Sequence, residues 1–490
     1  MTSQAYTALA IVAAVLVFVV ALGVLSTRRV ALNPEEYIVG GRSFGALLLW
    51  LLMAGEIYTS FTFLGAAGWA YGKGAPAFYI LCYGTVAYII SYFLAPPIWD
   101  FARRRGLLTG PDFFAARYNS KALALLVALV GLASLVPYIA LQLTGLQVLL
   151  RIAGYDSLDA TAAALAAFVV MAFFVLLTGL RGTAWASVIK DGLILLAVLF
   201  AGVVLPVHFF GSPANVLSRV LALRPNWLTL QPGAANLGMT WFVSTVLLTA
   251  CGFFMWPQSM AAVYAAKSAD ALRRNAIFLP FYQLMLLLMF FAGFTALLLM
   301  PGLQGKAVDQ SFMLVVRRYY APWLLGCIAA AGCLGALVPA SSQLLAAASL
   351  VSKNLLGDGL HAWTSARART YATKGAVVVL CVLSLLFWTK VHVTIVDLLL
   401  IGYNGVTQFF PGVVLAFVWR KANAWGVGSG IVAGIAVVVY ASAHQAPVVA
   451  GINVGFFALA CNALVCAAVS LLTARGNGVR EGGQATAAVS

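Results

Sequence analysis

The sequence predicts an all-α polytopic membrane protein of thirteen helical spans, in which spans 2–6 and 7–11 form an inverted repeat of five helices each. Three observations predict it. Of the 490 residues, 63% are hydrophobic and 9% charged, which is more apolar surface than a soluble chain of this length can bury. The apolar residues fall in stretches long enough to cross hydrocarbon, and the basic residues punctuate them with a strong bias between alternate loops. Two of the stretches, running in opposite directions, are interrupted at similar depth.

The spans read 5–27, 44–70, 75–101, 122–152, 158–179, 184–210, 239–265, 275–300, 321–351, 373–389, 393–418, 423–443 and 448–473. The first lacks a basic leader and a clear small-residue cleavage site before "STRRV", so it is kept as a helix. The chain divides into an extra N-terminal helix and loop (1–43), the first unit (44–210), the second unit (211–419), two C-terminal helices (420–474) and a tail (475–490). That tail is small, polar and Gly-rich, and is expected to be disordered. With the N-terminus outside, the inner loops hold 20 basic residues, among them Arg103, Arg104, Arg105, Arg273 and Arg274. The outer loops hold 8, among them Lys73, Arg224 and Lys306, with Lys190 set aside as intramembrane. This predicts a multi-pass protein of the cell (inner) membrane with its C-terminus cytoplasmic.

The net charge of +16 does not indicate nucleic acid, because the cations form no stripe with interleaved aromatics. The partner is the lipid bilayer. The seven cysteines lie in apolar stretches and make no CxxC pair. His208, His361, His392 and His444 have no metal-ligand spacing. No hydrolase elbow, phosphate loop or nucleophile–base pairing is present, so enzyme chemistry is not expected. "GVGSGIVAG" (426–434) spaces its glycines for close helix packing inside span 12, not for a nucleotide.

The interrupted spans carry the functional signal. In "GEIYTSFTFLGAAGWAYGKG" (55–74), Glu56 lies roughly 18 Å into span 2, near the midplane. In "TACGFFMWPQSMAAVY" (249–264), Gly252 and Pro257 flank the middle of span 7, roughly 20 Å from the opposite face. A broken helix frees backbone groups that hydrocarbon cannot satisfy. Freed N–H groups favour an anion and freed carbonyls a cation. Glycines that only permit close packing are the competing reading. Glu56 and the Lys190–Asp191 pair lie within spans, and ionisable groups there are functional candidates.

Four segments resemble one family. "GEIYTSFTF", "VPYIALQLTGLQVLL" (136–150), "MWPQSMAAVYAAKSADALRRNAIF" and "GALVPASSQLLAAASLVSKNLL" (335–356) occur in order and at the right spacing. The chain resembles the sodium:solute symporter family, and within it the bacterial monocarboxylate permease subgroup, to about residue 475. The resemblance implies the leucine-transporter-type fold, one helix before a ten-helix core and two after it. It implies secondary transport by alternating access of small monocarboxylates such as lactate, pyruvate and propionate, with alanine a further candidate. A sodium symporter for another solute, such as proline or a pantothenate-like vitamin, is the alternative; a membrane sensor or a channel is a weaker one.

Members with a sodium ion between the first broken helix and span 9 carry hydroxyl residues where this chain has Val338 and Pro339, which supply no side-chain oxygen. Ser341 and Ser342 stand one turn further on, and Asp191 matches the family's aspartate on span 6. The three form a candidate sodium site, unless Asp191 pairs with Lys190 or caps a local bend. No cofactor is expected beyond a coupling ion, Na+ or H+. The solute candidates are Glu56, Tyr58, Thr59 and Thr62 at the first break, Trp256 and Gln258 at the second, Tyr138 and Gln142 on span 4, and Asn404 and Gln408 on span 11. For each, helix–helix hydrogen bonding competes. Glu56 has three open roles: proton coupling, neutralising a bound cation, or bonding a partner helix while protonated.

Overall fold

The computed structural model describes residues 2–27, 40–230, 236–359, 366–391 and 393–474. The expected disordered tail and the Arg28–Arg29 loop lie outside the described residues. Among the described residues eleven helices are long and apolar enough to cross a membrane, and the bent pair Met239–Gly252 and Pro257–Ala265 makes a twelfth span. Ala46–Gly55 is too short to cross alone, but the chain continues past a break as Ala66–Lys73. Counted as one broken span, these bring the total to the expected thirteen.

The remaining spans are Ser3–Thr27, Tyr79–Arg104, Lys121–Ala153, Ala269–Leu299, Pro322–Ser349 with a π-helical extension, Ala366–Lys390, Ile395–Val418, Ala424–Ala443 and Val454–Ala474. Spans 5 and 6 differ from expectation. Helical bonding runs unbroken from Ala160 to Leu199, through the loop expected near residue 181, although the apolar stretches Ala160–Leu177 and Trp185–Phe210 stay distinct. No proline falls at this junction, and Gly179 and Gly182 alone do not end a helix whose neighbours favour it.

Large apolar side chains lie on the outer surface, and a minority of polar ones are buried within a mainly apolar core. Leu47, Phe93, Trp425 and Leu464 are exposed, whereas Gln142, Lys190, Ser341, Gln343 and Gln408 are wholly buried. Lipid accepts the first set; the second must find partners inside.

The two broken spans run in opposite directions. Both reach the face that also holds Arg103, and there the backbones bond: Phe44 N donates to Ala265 O at 3.2 Å and Lys267 N donates to Phe44 O at 2.9 Å. On that face Asp112, in the short helix Gly110–Tyr118, accepts from the N–H groups of Leu108 and Thr109, each at 2.9 Å. It also accepts from Lys353 at 2.5 Å and Asn354 at 2.9 Å, which ties this helix to the end of span 9. Burial would raise the Asp112 carboxyl, but the Lys353 ammonium and these donors hold it below its ordinary value. The opposite face carries a depression of about 520 Å3 whose lining includes Trp69, Lys73, Arg224, Lys306, Thr394 and Asp397.

Candidate functional site

The first break begins where Gly55 ends its half-helix. Residues 56–59 are non-helical, and a π-helical turn, Phe61–Gly65, leads into the second half. The N–H groups at this new start are capped from within. Thr59 N donates to Thr62 Oγ1 at 2.8 Å, Ser60 N to Gln142 Oε1 at 3.3 Å, and Phe61 N to Thr59 Oγ1 at 3.1 Å. Thr59 and Thr62 therefore serve as caps. The anion-binding N–H groups expected at this break are already engaged.

The second break is a 48° bend. Trp256 is extended (φ −61°, ψ 139°), and Pro257 opens the next half-helix, where its missing N–H costs nothing. The Trp256 ring packs 4.7 Å from Tyr138 of span 4 and 5.3 Å from Tyr403 of span 11. Gly402 makes this possible, since a Cβ there would lie 2.6 Å from the indole. Gly145 plays the same part at the first break, where a Cβ would meet Ser60 Oγ at 2.0 Å.

The two breaks face one another. Glu56, Gln258 and Ser342 line a single narrow cleft of about 20 Å3, room for a water and little more. The Ser342 hydroxyl donates to Glu56 Oε1 and also bonds Pro339 O at 2.9 Å. Around the breaks, buried polar atoms stand without partners: Glu56 Oε2, Ser60 Oγ, Gln142 Nε2, Trp256 Nε1, Gln258 Oε1 and both ends of Gln343. Such orphans are expensive in a dry interior unless a ligand or water meets them.

The structure thus gathers Glu56, Tyr138, Gln142, Trp256, Gln258 and Ser342 at the two breaks. The other candidates go elsewhere. Asn404 and Gln408 turn toward the C-terminal helices: Gln408 Nε2 donates to Gly455 O at 3.4 Å and Asn404 O at 3.1 Å, and Asn462 donates to Gln408 Oε1 at 3.1 Å. Asn404 Oδ1 crowds Gly455. Gln408 bonds span 13 to the core and lies against Gly434 of span 12, the helix-bonding role, while Asn404 Oδ1 stands unpartnered beside Gly455. Tyr58 turns from the cleft to Tyr282, ring to ring at 4.8 Å, and donates to its backbone carbonyl at 3.4 Å.

The candidate sodium ligands are each engaged with other groups. Ser341 bonds Thr183 at 2.7 Å, Ser342 bonds Glu56, and Asp191 is paired with Lys190 at 2.9 Å and accepts from Tyr282 at 3.3 Å. The Asp191–Lys190 pairing is the one the sequence left open. Adjacent helical side chains diverge, but the long lysine stem curls back far enough to close the gap. Gln343 and Ser60 were missed. Gln343 was legible as the third polar residue of "SSQ" in an apolar span, and Ser60 as a neighbour of the break.

Among the described residues no group of three His, Cys, Asp or Glu side chains could hold a metal. Residues 37–434 match the Sodium:solute symporter family. The chain belongs to that family.

This symporter-family chain is 42% identical, over 95% of its length and 97% of the relative's, to the uncharacterized symporter YhjB of Bacillus subtilis (strain 168). It is 29% identical to a monocarboxylate transport permease protein of Rhizobium johnstonii, over 86% of this chain and 87% of the other. Its fold matches a Na+-coupled sialic acid symporter solved in a substrate-bound, outward-open state, with a TM-score of 0.77, 17% identity and coverage of 96% and 98%. Family and fold are those of membrane transporters, and the fold is of the leucine-transporter type.

Proposed function

We propose that this family member carries small monocarboxylates across the cell membrane by alternating access, coupled to protons through Glu56, with the N-terminus outside. The observation that carries this is the cleft between the two breaks. Its lining holds one carboxyl group, Glu56, with the amide of Gln258 and no arginine, and orphaned amide and indole donors stand on the residues around the two breaks. The donors Gln142 Nε2, Trp256 Nε1 and Gln343 Nε2 suit the oxygens of a small carboxylate, held loosely enough to leave. An ionised Glu56 beside that anion would repel it, so a proton on Glu56 accompanies the solute. The lysines and arginine of the depression on the opposite face raise the local concentration of anions. The monocarboxylate permease among the relatives supports the same solute class.

The test is uptake into proteoliposomes of labelled lactate, pyruvate, propionate and alanine, with labelled proline as a contrast, under an imposed proton gradient. The expected result is saturable uptake of the acids that collapses with the gradient. In Glu56→Gln the dependence on pH disappears. Uptake of proline but none of the acids would overturn the solute assignment, and an unchanged pH profile in Glu56→Gln would overturn the proton role.

A further inference from the structure

The first break frees one carbonyl in particular. In an unbroken helix, Gly55 O would accept from Thr59 N, but that N–H is turned to Thr62 Oγ1. Gly55 O instead accepts from the ammonium of Lys190 at 3.0 Å. The same ammonium lies 2.9 Å from Asp191 Oδ1, and the lysine is entirely buried. A Cβ on Gly55 would come within 3.2 Å of Nζ and 3.3 Å of Ser187 Oγ, so glycine leaves the ammonium room to approach.

A free carbonyl at a broken helix is where transporters of this architecture coordinate a coupling cation. Here a covalently attached cation sits on it. The residues around it fit a sodium ion poorly. Val338 and Pro339 offer no side-chain oxygen, and Ser341 and Ser342 are engaged with Thr183 and Glu56. Asp191 is already neutralised by a full positive charge, which would repel a second cation placed beside it. The groups facing Lys190 are Asp191 on its own span, Glu56, whose charge it feels, from the first break, and Ser187 one turn back. Tyr282 and Tyr58 complete the cluster through Asp191.

We propose that Lys190 is a built-in replacement for a coupling sodium ion at the first break, so that this chain moves its solute without binding sodium there. The proposal rests on the transport reading above and names an ion that takes no part in it. An ammonium and a sodium ion ask the same of a protein, oxygen lone pairs converging on one positive charge. The ammonium differs in that it cannot leave, so it holds spans 2 and 6 together in every state in which the pair stays closed.

The experiment has two arms. In the first, radiolabelled sodium binding is measured on the purified full chain, and uptake of labelled lactate into proteoliposomes is compared in sodium and in choline. No saturable sodium binding is expected, and uptake should agree in the two media. In the second, Lys190→Ala is expected to lose uptake by about tenfold or more in choline and to regain part of it when sodium or methylammonium fills the vacated place. A merely structural lysine would give no such rescue by small cations. Saturable sodium binding by the wild-type chain, or wild-type uptake that needs sodium, overturns the proposal; so does Lys190→Ala uptake at the wild-type level in choline. If Lys190→Ala does not fold, the wild-type sodium measurements still decide. If no tested acid is transported, the transport reading fails, while sodium binding to the purified chain still judges this one.

Discussion

Gly145→Ala tests the meeting of span 4 with the first break. The added Cβ would stand 2.0 Å from Ser60 Oγ and 2.3 Å from Ser60 Cβ. Carbon needs about 3.5 Å, so the two backbones must part by roughly 1.5 Å. Overpacking of this kind costs about 1–3 kcal/mol. It also stretches the bond from Ser60 N to Gln142 Oε1, already 3.3 Å, beyond useful range. The break then loses a cap, and the cleft loses its shape. Solute uptake should fall by about tenfold or more, since each tenfold corresponds to only ~1.4 kcal/mol. Ser60→Gly removes both clashing atoms and leaves the Ser60 Cα at 3.6 Å, an ordinary contact. The double variant Gly145→Ala, Ser60→Gly should therefore recover uptake and melting temperature relative to Gly145→Ala alone. A Gly145→Ala protein that transports and melts like wild type would refute the reasoning. So would a double variant no better than the sum of its parts.

Two further predictions concern groups away from the cleft. Asp309 lies between spans 8 and 9, where burial pushes its carboxyl up to about 8; Ile395 N donates to it at 2.9 Å in opposition, and Asp397 adds to the rise. The folded state keeps a proton that the unfolded chain gives up in the ordinary carboxylate range, so stability falls as pH climbs through that interval to about 8. Asp309→Asn should flatten this slope in a melting curve measured against pH, and a parallel slope in the variant would count against it. Gln408→Leu should lower the melting temperature, by about 0.6–2 kcal/mol of lost interhelical bonding, and leave the KM for solute unchanged; a raised KM at constant melting temperature would return Gln408 to the solute path.

The breaks were legible because hydrocarbon tolerates few reasons for Gly55, Glu56, Gly252 and Pro257 at mid-depth, and their opposite directions gave the architecture. The rotation of each helix was not. Asn404 and Gln408 share a face by their i, i+4 spacing, but spacing does not say which neighbour that face meets when lipid and protein are equally apolar. Tyr58 was misdirected for the same reason. Asp191 and Lys190 resisted because the outcome depended on a flexible stem rather than on helix phase. The junction of spans 5 and 6 lacked a proline, and the two glycines there left helical bonding free to continue.

The backbone bonds between Phe44 and the stretch Ala265–Lys267 have a mechanical consequence. They clasp the ends of spans 2 and 7 on the Arg103 face, so parting those ends would break two backbone hydrogen bonds. In the transport reading proposed above, access from that side then falls to the other wall, where span 9 carries Ser342 and Ser349 past the cleft and the Asp112–Lys353 pair ties its end to the short helix Gly110–Tyr118.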